Sequence, residues 1–188
     1  MMRTANRPWI LLGAVGCLSG CTTLVPHTSI EPYIKDKQRR NAIELIAEAY
    51  CREKRLAPGS SQLEQVPDYI FTTDGCSRWP DDSWLVCCVV HDMSYWCGGS
   101  AEDRKEADAL LMQCANSKVS LMGDILYAAV RLGGVPWLPT PWRWGYGWDD
   151  WPRGYESIKH SPSVRELLEK LNVRGIVEKH FRQNKAIP

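Results

Sequence analysis

The amino-acid sequence predicts an all-α fold, and three observations carry that expectation. Apolar residues recur at helical spacing over 36–57, 84–96 and 100–132. Start and stop residues punctuate those runs, with Ser83 and Ser100 at beginnings and Pro58-Gly59 and Gly98-Gly99 at ends. Eight Cys among 188 residues are too few for a scaffold that depends on disulfides and too many to be incidental, so their placement carries structural information. The length suits one domain. With 24% charged residues and a formal net charge of +1, collagen-like, disordered and polybasic nucleic-acid-binding chains are excluded.

Residues 1–20 read as an export signal. Arg3 and Arg7 precede an apolar run over 9–18, far shorter than the roughly 20 residues of a spanning helix, and small residues follow it. Leu18-Ser19-Gly20-Cys21 resembles the lipobox of bacterial lipoproteins, in which cleavage leaves a lipid-modified, palmitate-bearing Cys as the first mature residue. An ordinary secretory signal cut nearby is the plainer alternative. Thr22 follows Cys21, so the Asp that often retains such proteins at the inner membrane is absent, and the expected location is the outer membrane, facing the periplasm. Removal of 1–20 takes Arg3 and Arg7 and no acid, leaving 168 residues with a net charge of −1 and nothing that suggests a nucleic-acid partner. Cys17 leaves with the signal and Cys21 becomes the anchor. Cys51, Cys76, Cys87, Cys88, Cys97 and Cys114 remain, an even set in an exported chain, for which fifteen disulfide connectivities are open. Residues 21–35, with Pro26 and Pro32, read as a tether to a domain over 36–188.

Ala42, Ile43, Ile46, Ala49 and Tyr50 give the first helix an apolar face suited to packing, and Pro58-Gly59 stops it. Turn formers crowd 58–83, which is expected as loop with at most a short extended piece at Tyr69-Ile70-Phe71. Ser83 is expected to cap a helix over 84–96 that ends at Gly98-Gly99. Ser100 opens the next helix, with Glu102 and Asp103 in its first turn where the helix dipole favours acids. A helix running from there to Leu132 would be about 48 Å long, more than a domain of this size spans, so a break near Asn116-Ser117 or Gly123 is expected. The segment 133–155 is rich in Trp and Pro, and its Pro density forbids regular helix. It either covers the core or presents Trp to a membrane or an apolar ligand. A last helix is expected from Val164, Leu167, Leu168 and Leu171, capped by Ser163.

The dense cluster lies over 87–99. On a helix, Cys87, His91 and Tyr95 share one face, and Cys88 and Asp92 form a neighbouring row about 100° round. Adjacent Cys diverge by that same angle, which suits two disulfides to different elements better than one metal. A zinc site from Cys76, Cys87, Cys88 and His91 is a competing reading, against which stand the spacing and the oxidising compartment. A structural His–Asp pair is the blander one.

The segment resembles the active-site helix of the secreted phospholipase A2 superfamily, C-C-x-x-H-D-x-C-Y, which Cys87, Cys88, His91, Asp92 and Tyr95 match. Ser94 stands where the family usually has Cys. Asp108 precedes Cys114 by six residues, as an Asp precedes a Cys in the family's second long helix, and Ala107 replaces the Cys that usually comes just before that Asp. In the family the two missing Cys are partners. Asp74-Gly75-Cys76 stands where the family's calcium loop lies, and Ser77-Arg78-Trp79-Pro80 is closer to bacterial and fungal relatives than to the Gly-rich animal loop. The resemblance covers roughly residues 70–115.

The resemblance implies an antiparallel, disulfide-linked pair of helices, with Cys87 joined to Cys114 and Cys88 to Cys76, which leaves Cys51 with Cys97. It also implies that His91 is the base that activates water, that Asp108 fixes its tautomer, and that Tyr95 hydrogen-bonds Asp108. Asp92 would hold Ca²⁺ with loop oxygens around Asp74, Gly75, Ser77 and Trp79. The expected activity is hydrolysis of a phospholipid acyl ester, at the sn-2 position, on a membrane that the lipid anchor keeps close. The alternative is an envelope lipoprotein that keeps the scaffold and binds lipid or protein without catalysis.

Overall fold

Eleven of the thirteen residues of the helix Leu85–Cys97 are buried, among them His91, Asp92 and Ser94, so the rest of the chain must both cover this helix and supply partners for its polar groups. The computed structural model describes residues 37–56, 66–67, 70–77, 79–80, 82–137, 145–147, 154–158 and 161–182. The expected signal over 1–20, Cys21, the expected tether over 21–35, Tyr69, Trp142, Trp144, Trp148 and Trp151 lie outside the described residues. Among the described residues there are six helices and no strand: α1 (Lys37–Arg55), α2 (Leu85–Cys97), α3 (Ala101–Asn116), α4 (Met122–Gly133), α5 (Val164–Lys170) and α6 (Val173–Arg182).

Helix α1 buries Ile43, Ala47, Tyr50, Cys51 and Lys54, so of the face expected from spacing Ile43 and Tyr50 are buried while Ala42, Ile46 and Ala49 are half-buried, and it places Arg52, Lys54 and Arg55 in its last turn where the dipole favours cations. The start of α2 differs from expectation. Its N-cap is Trp84 with no side-chain cap, and the backbone N–H of Ser83 instead donates to Asp82 Oδ1. Burial of the Trp84 indole, whose Nε1 donates to Pro80 O at 3.1 Å, fixes that end. Gly98 and Gly99, at φ 76° and 136°, make the turn into α3, a conformation that L side chains avoid. Ser100 and Asp103 form a reciprocal capping box there.

The long run over 100–132 breaks at 117–121, between the two positions where a break is expected, and Leu121 at φ 64° opens α4. Two glycines let α4 lie close. A Cβ on Gly123 would sit 2.0 Å from Met112 O, and one on Gly134 would sit 2.6 Å from the Tyr95 hydroxyl. Ser163 caps α5 by accepting from Glu166 N, and the Glu106 carboxylate accepts from Val164 N at 2.8 Å. The chain then continues, after Asn172 at φ 47°, into α6, whose buried Val173 and Val177 repeat at four-residue spacing, a signal that the sequence reading passed over.

Three disulfides join Cys51 to Cys97, Cys76 to Cys88 and Cys87 to Cys114, with Cα–Cα distances of 5.3, 5.1 and 5.7 Å. These are the pairs that the resemblance implies, and they take up the sulfurs on which a Cys₃His zinc site would draw. Cys87 with Cys114 and His91 with Asp108 are partners that run in opposite directions, so α2 and α3 are antiparallel. Where the resemblance implies a second cross-link between these helices, Ser94 Oγ donates to the Tyr50 hydroxyl at 3.2 Å and Ala107 is buried. In the Trp/Pro-rich segment, Tyr146 is fully buried edge-on against Tyr95, which is core covering, and Trp137 is 59% exposed.

Candidate functional site

Asp108 is fully buried on α3, and a carboxylate taken out of water needs its lone pairs filled. Oδ1 lies 2.8 Å from His91 Nε2 and accepts from the Tyr95 hydroxyl at 2.7 Å. Oδ2 accepts from Arg131 Nη1 of α4 at 2.7 Å, and Arg104 Nε stands 3.8 Å from it. Burial alone would raise the Asp108 pKa. The hydrogen bond and charge of His91, with the bonds from Arg131 and Tyr95, outweigh it and hold the group below the ordinary carboxylate value. Burial, then the Asp108 charge, pushes the Tyr95 phenol well above its usual value, so Tyr95 is a neutral donor. Its ring also packs on His91 with centroids 4.1 Å apart.

Asp92 sits on the other side of His91, with Oδ1 4.0 Å from Nδ1. Thr73 Oγ1 donates to Asp92 Oδ2 at 2.5 Å and accepts from Gly75 N at 3.0 Å, which ties the loop before α2 to this carboxylate. His91, Asp92 and Tyr95 open onto a cavity of about 260 Å³. Gly75, Ser77 and Trp79 line it from the loop, and Leu126, Ala129 and Val130 from α4. Asp74 stands apart from the expected set, because its Oδ1 accepts from Ser77 Oγ at 2.7 Å and it does not line the cavity. Among the described residues, no three His, Cys, Asp or Glu side chains gather as a metal-ligating group. A second space of about 310 Å³ lies behind the helix pair, bordered by the small residues Ser94 and Ala107.

Of the residues expected from sequence, His91, Asp108 and Tyr95 are in direct contact, and Asp92, Gly75, Ser77 and Trp79 share the cavity that His91 and Tyr95 line. Thr73, Arg104 and Arg131 were not foreseen. Arg104 is 1% exposed and spends four hydrogen bonds: Nε on the Tyr95 hydroxyl, Nη1 on the Tyr155 hydroxyl, and Nη2 on the carbonyls of Val130 and Arg131. Its spacing of four residues before Asp108 was the one signal available. No family model, curated protein or solved structure matches the chain.

Proposed function

We propose that this protein hydrolyses a phospholipid acyl ester, at sn-2, by the chemistry of the secreted phospholipase A2 superfamily, held through a lipid on Cys21 at the outer membrane of a bacterial envelope and facing the periplasm. The observation that carries the reading is the 2.8 Å contact of His91 Nε2 with a fully buried Asp108, on antiparallel helices joined by Cys87 and Cys114, beside a largely apolar cavity. A structural His–Asp pair has no need of a cavity that also takes in Asp92 and the loop residues Gly75, Ser77 and Trp79.

In the mechanism, a proton on Nε2 is donated to Asp108, which leaves the Nδ1 lone pair on the Asp92 side to take the proton of an attacking water. The fixed carboxylate then stabilises the imidazolium, and the same nitrogen returns the proton to the leaving alcohol. Tyr95 holds Asp108 without moving a proton. Oxygen donors would suit a hard cation: Asp92, Gly75, Ser77 and Trp79 border one cavity, so Asp92 with oxygens of that loop would hold it, with the Asp74 side chain left bonded to Ser77. When bound, Ca²⁺ would polarise the ester carbonyl and hold the oxyanion.

The test is fatty-acid release from mixed phospholipid vesicles by the parent and by His91→Gln, with Ca²⁺ or with chelator. Release by the parent in Ca²⁺, and its loss in the variant and in chelator, is the expected result. A folded parent that releases no more than His91→Gln across a broad lipid panel would leave the non-catalytic binding reading in its place. Equal release in chelator would remove calcium and keep the hydrolase.

A membrane partner is supported by α4, where Leu121, Ile125 and Leu132 are 69%, 48% and 77% exposed at helical spacing, next to the cavity wall. In protein prepared without the Cys21 lipid, Ile125→Glu with Leu132→Glu should cut the fraction sedimenting with phospholipid vesicles several-fold at unchanged melting temperature, since each apolar side chain withdrawn from water contributes about 1.5–3 kcal/mol. Unchanged sedimentation would exclude this face.

A further inference from the structure

We propose that Arg131 is a positioning residue of this site: its guanidinium, delivered from the last turn of α4, holds Oδ2 of Asp108 and so keeps Oδ1 against His91 Nε2. The role rests on the hydrolase reading for its catalytic consequence and on geometry alone for its structural one. A carboxylate turns about Cβ–Cγ and its two oxygens are equivalent, so its donors decide the angle at which an oxygen meets the imidazole. Tyr95 and His91 are both on Oδ1. On Oδ2, Arg131 Nη1 is at 2.7 Å, whereas Arg104 at 3.8 Å is beyond hydrogen-bond reach with its Nε–H turned to Tyr95. Arg131 is thus the side chain that separates the two oxygens.

The fold does not depend on this side chain in the same way. The last turn of α4 is docked through the carbonyls of Val130 and Arg131 on Arg104, and through Gly134 against Tyr95, all of which survive loss of the Arg131 guanidinium. That guanidinium is 32% exposed and reaches inward to a carboxylate at 0%. It also lies outside the helix pair that carries the sequence motif, on the helix whose Leu126, Ala129 and Val130 form the cavity wall, so wall and acid are registered to each other.

The experiment compares Arg131→Met and Arg131→Lys with the parent by ¹⁵N-histidine NMR, thermal melting and steady-state kinetics, with His91→Gln assigning the His91 signals. The parent should carry the His91 proton on Nε2. Arg131→Met should melt within a few degrees of the parent, show a mixed tautomer, and lose on the order of tenfold to a hundredfold in kcat with KM within about twofold, as a misplaced acid would. Arg131→Lys should recover both signals in part. The proposal is overturned by a mixed tautomer in the parent, by an Arg131→Met protein that keeps tautomer and kcat, or by a variant whose losses follow its melting temperature. If the parent releases no fatty acid, the hydrolase reading fails and the tautomer still decides the positioning role.

Discussion

A folded Asp108→Asn protein should release fatty acid on the order of a thousandfold more slowly than the parent. The reason is proton placement. Arg131 only donates, so a carboxamide would turn its carbonyl to the guanidinium and its amino group to His91. Nε2 would then have to accept, the imidazole proton would move to Nδ1, and the nitrogen required as base would have no lone pair to offer. Initial rates on phospholipid vesicles, with circular dichroism as the check on folding, measure this, and a rate within tenfold of the parent would sink the role given to Asp108. The substitution also has a consequence for stability. The Asp108 pKa is held below its ordinary value, so its contribution is fully present above the unfolded value of about 4 and is lost as pH falls through the lower folded value. The Asn protein lacks that contribution and should lose stability less steeply over the same acid range.

Arg104→Met should destabilise the domain by about 3–5 kcal/mol, a large part of the 5–15 kcal/mol of a typical domain. The substitution keeps most of the side-chain volume and removes every donor. The carbonyls of Val130 and Arg131 lose a partner in a buried place, and Asp108 loses one of its two neighbouring cations. The urea midpoint with the disulfides intact is the measurement. Arg174→Met, at a side chain 45% exposed and paired, among the described residues, with Glu178 of its own helix, serves as the control and should stay within about 0.5 kcal/mol. A change below 1 kcal/mol at Arg104 would mean that the buried guanidinium is not what joins α3 to the end of α4.

What sequence could reveal follows from how local each signal is. The helices α2 and α3 were legible because apolar spacing, the Gly98-Gly99 stop and the Ser100 cap act within one or two turns. The contact of His91 with Asp108 was legible only through a resemblance, since 17 residues separate them and periodicity says nothing about which face meets which. Ser83 misled because hydroxyl capping competes with burial of the adjacent Trp84, and burial of so large an indole prevailed. α6 was not expected although Val173 and Val177 repeat at four-residue spacing, because two apolar positions with the poor helix former Gly175 between them are a weak signal. Arg104 and Arg131 are ordinary basic residues on exposed-looking helices until three elements converge on one carboxylate. Asp74 lies in the loop where the sequence puts it, and its Oδ1 accepts from the Ser77 hydroxyl three residues on, a contact that spacing alone does not show.

The close seating of α4 on Gly123 and Gly134 makes the cavity asymmetric in how it can evolve. Main chain already touches main chain and a Tyr ring at those two points, so the wall cannot be drawn further in. Any side chain added there would push α4 outward and enlarge the space beside His91. On the proposed hydrolase reading, room for a longer or bulkier substrate would come from such a displacement, whereas a stricter preference for small ones would have to be built by enlarging Leu126, Ala129 or Val130 within the cavity itself.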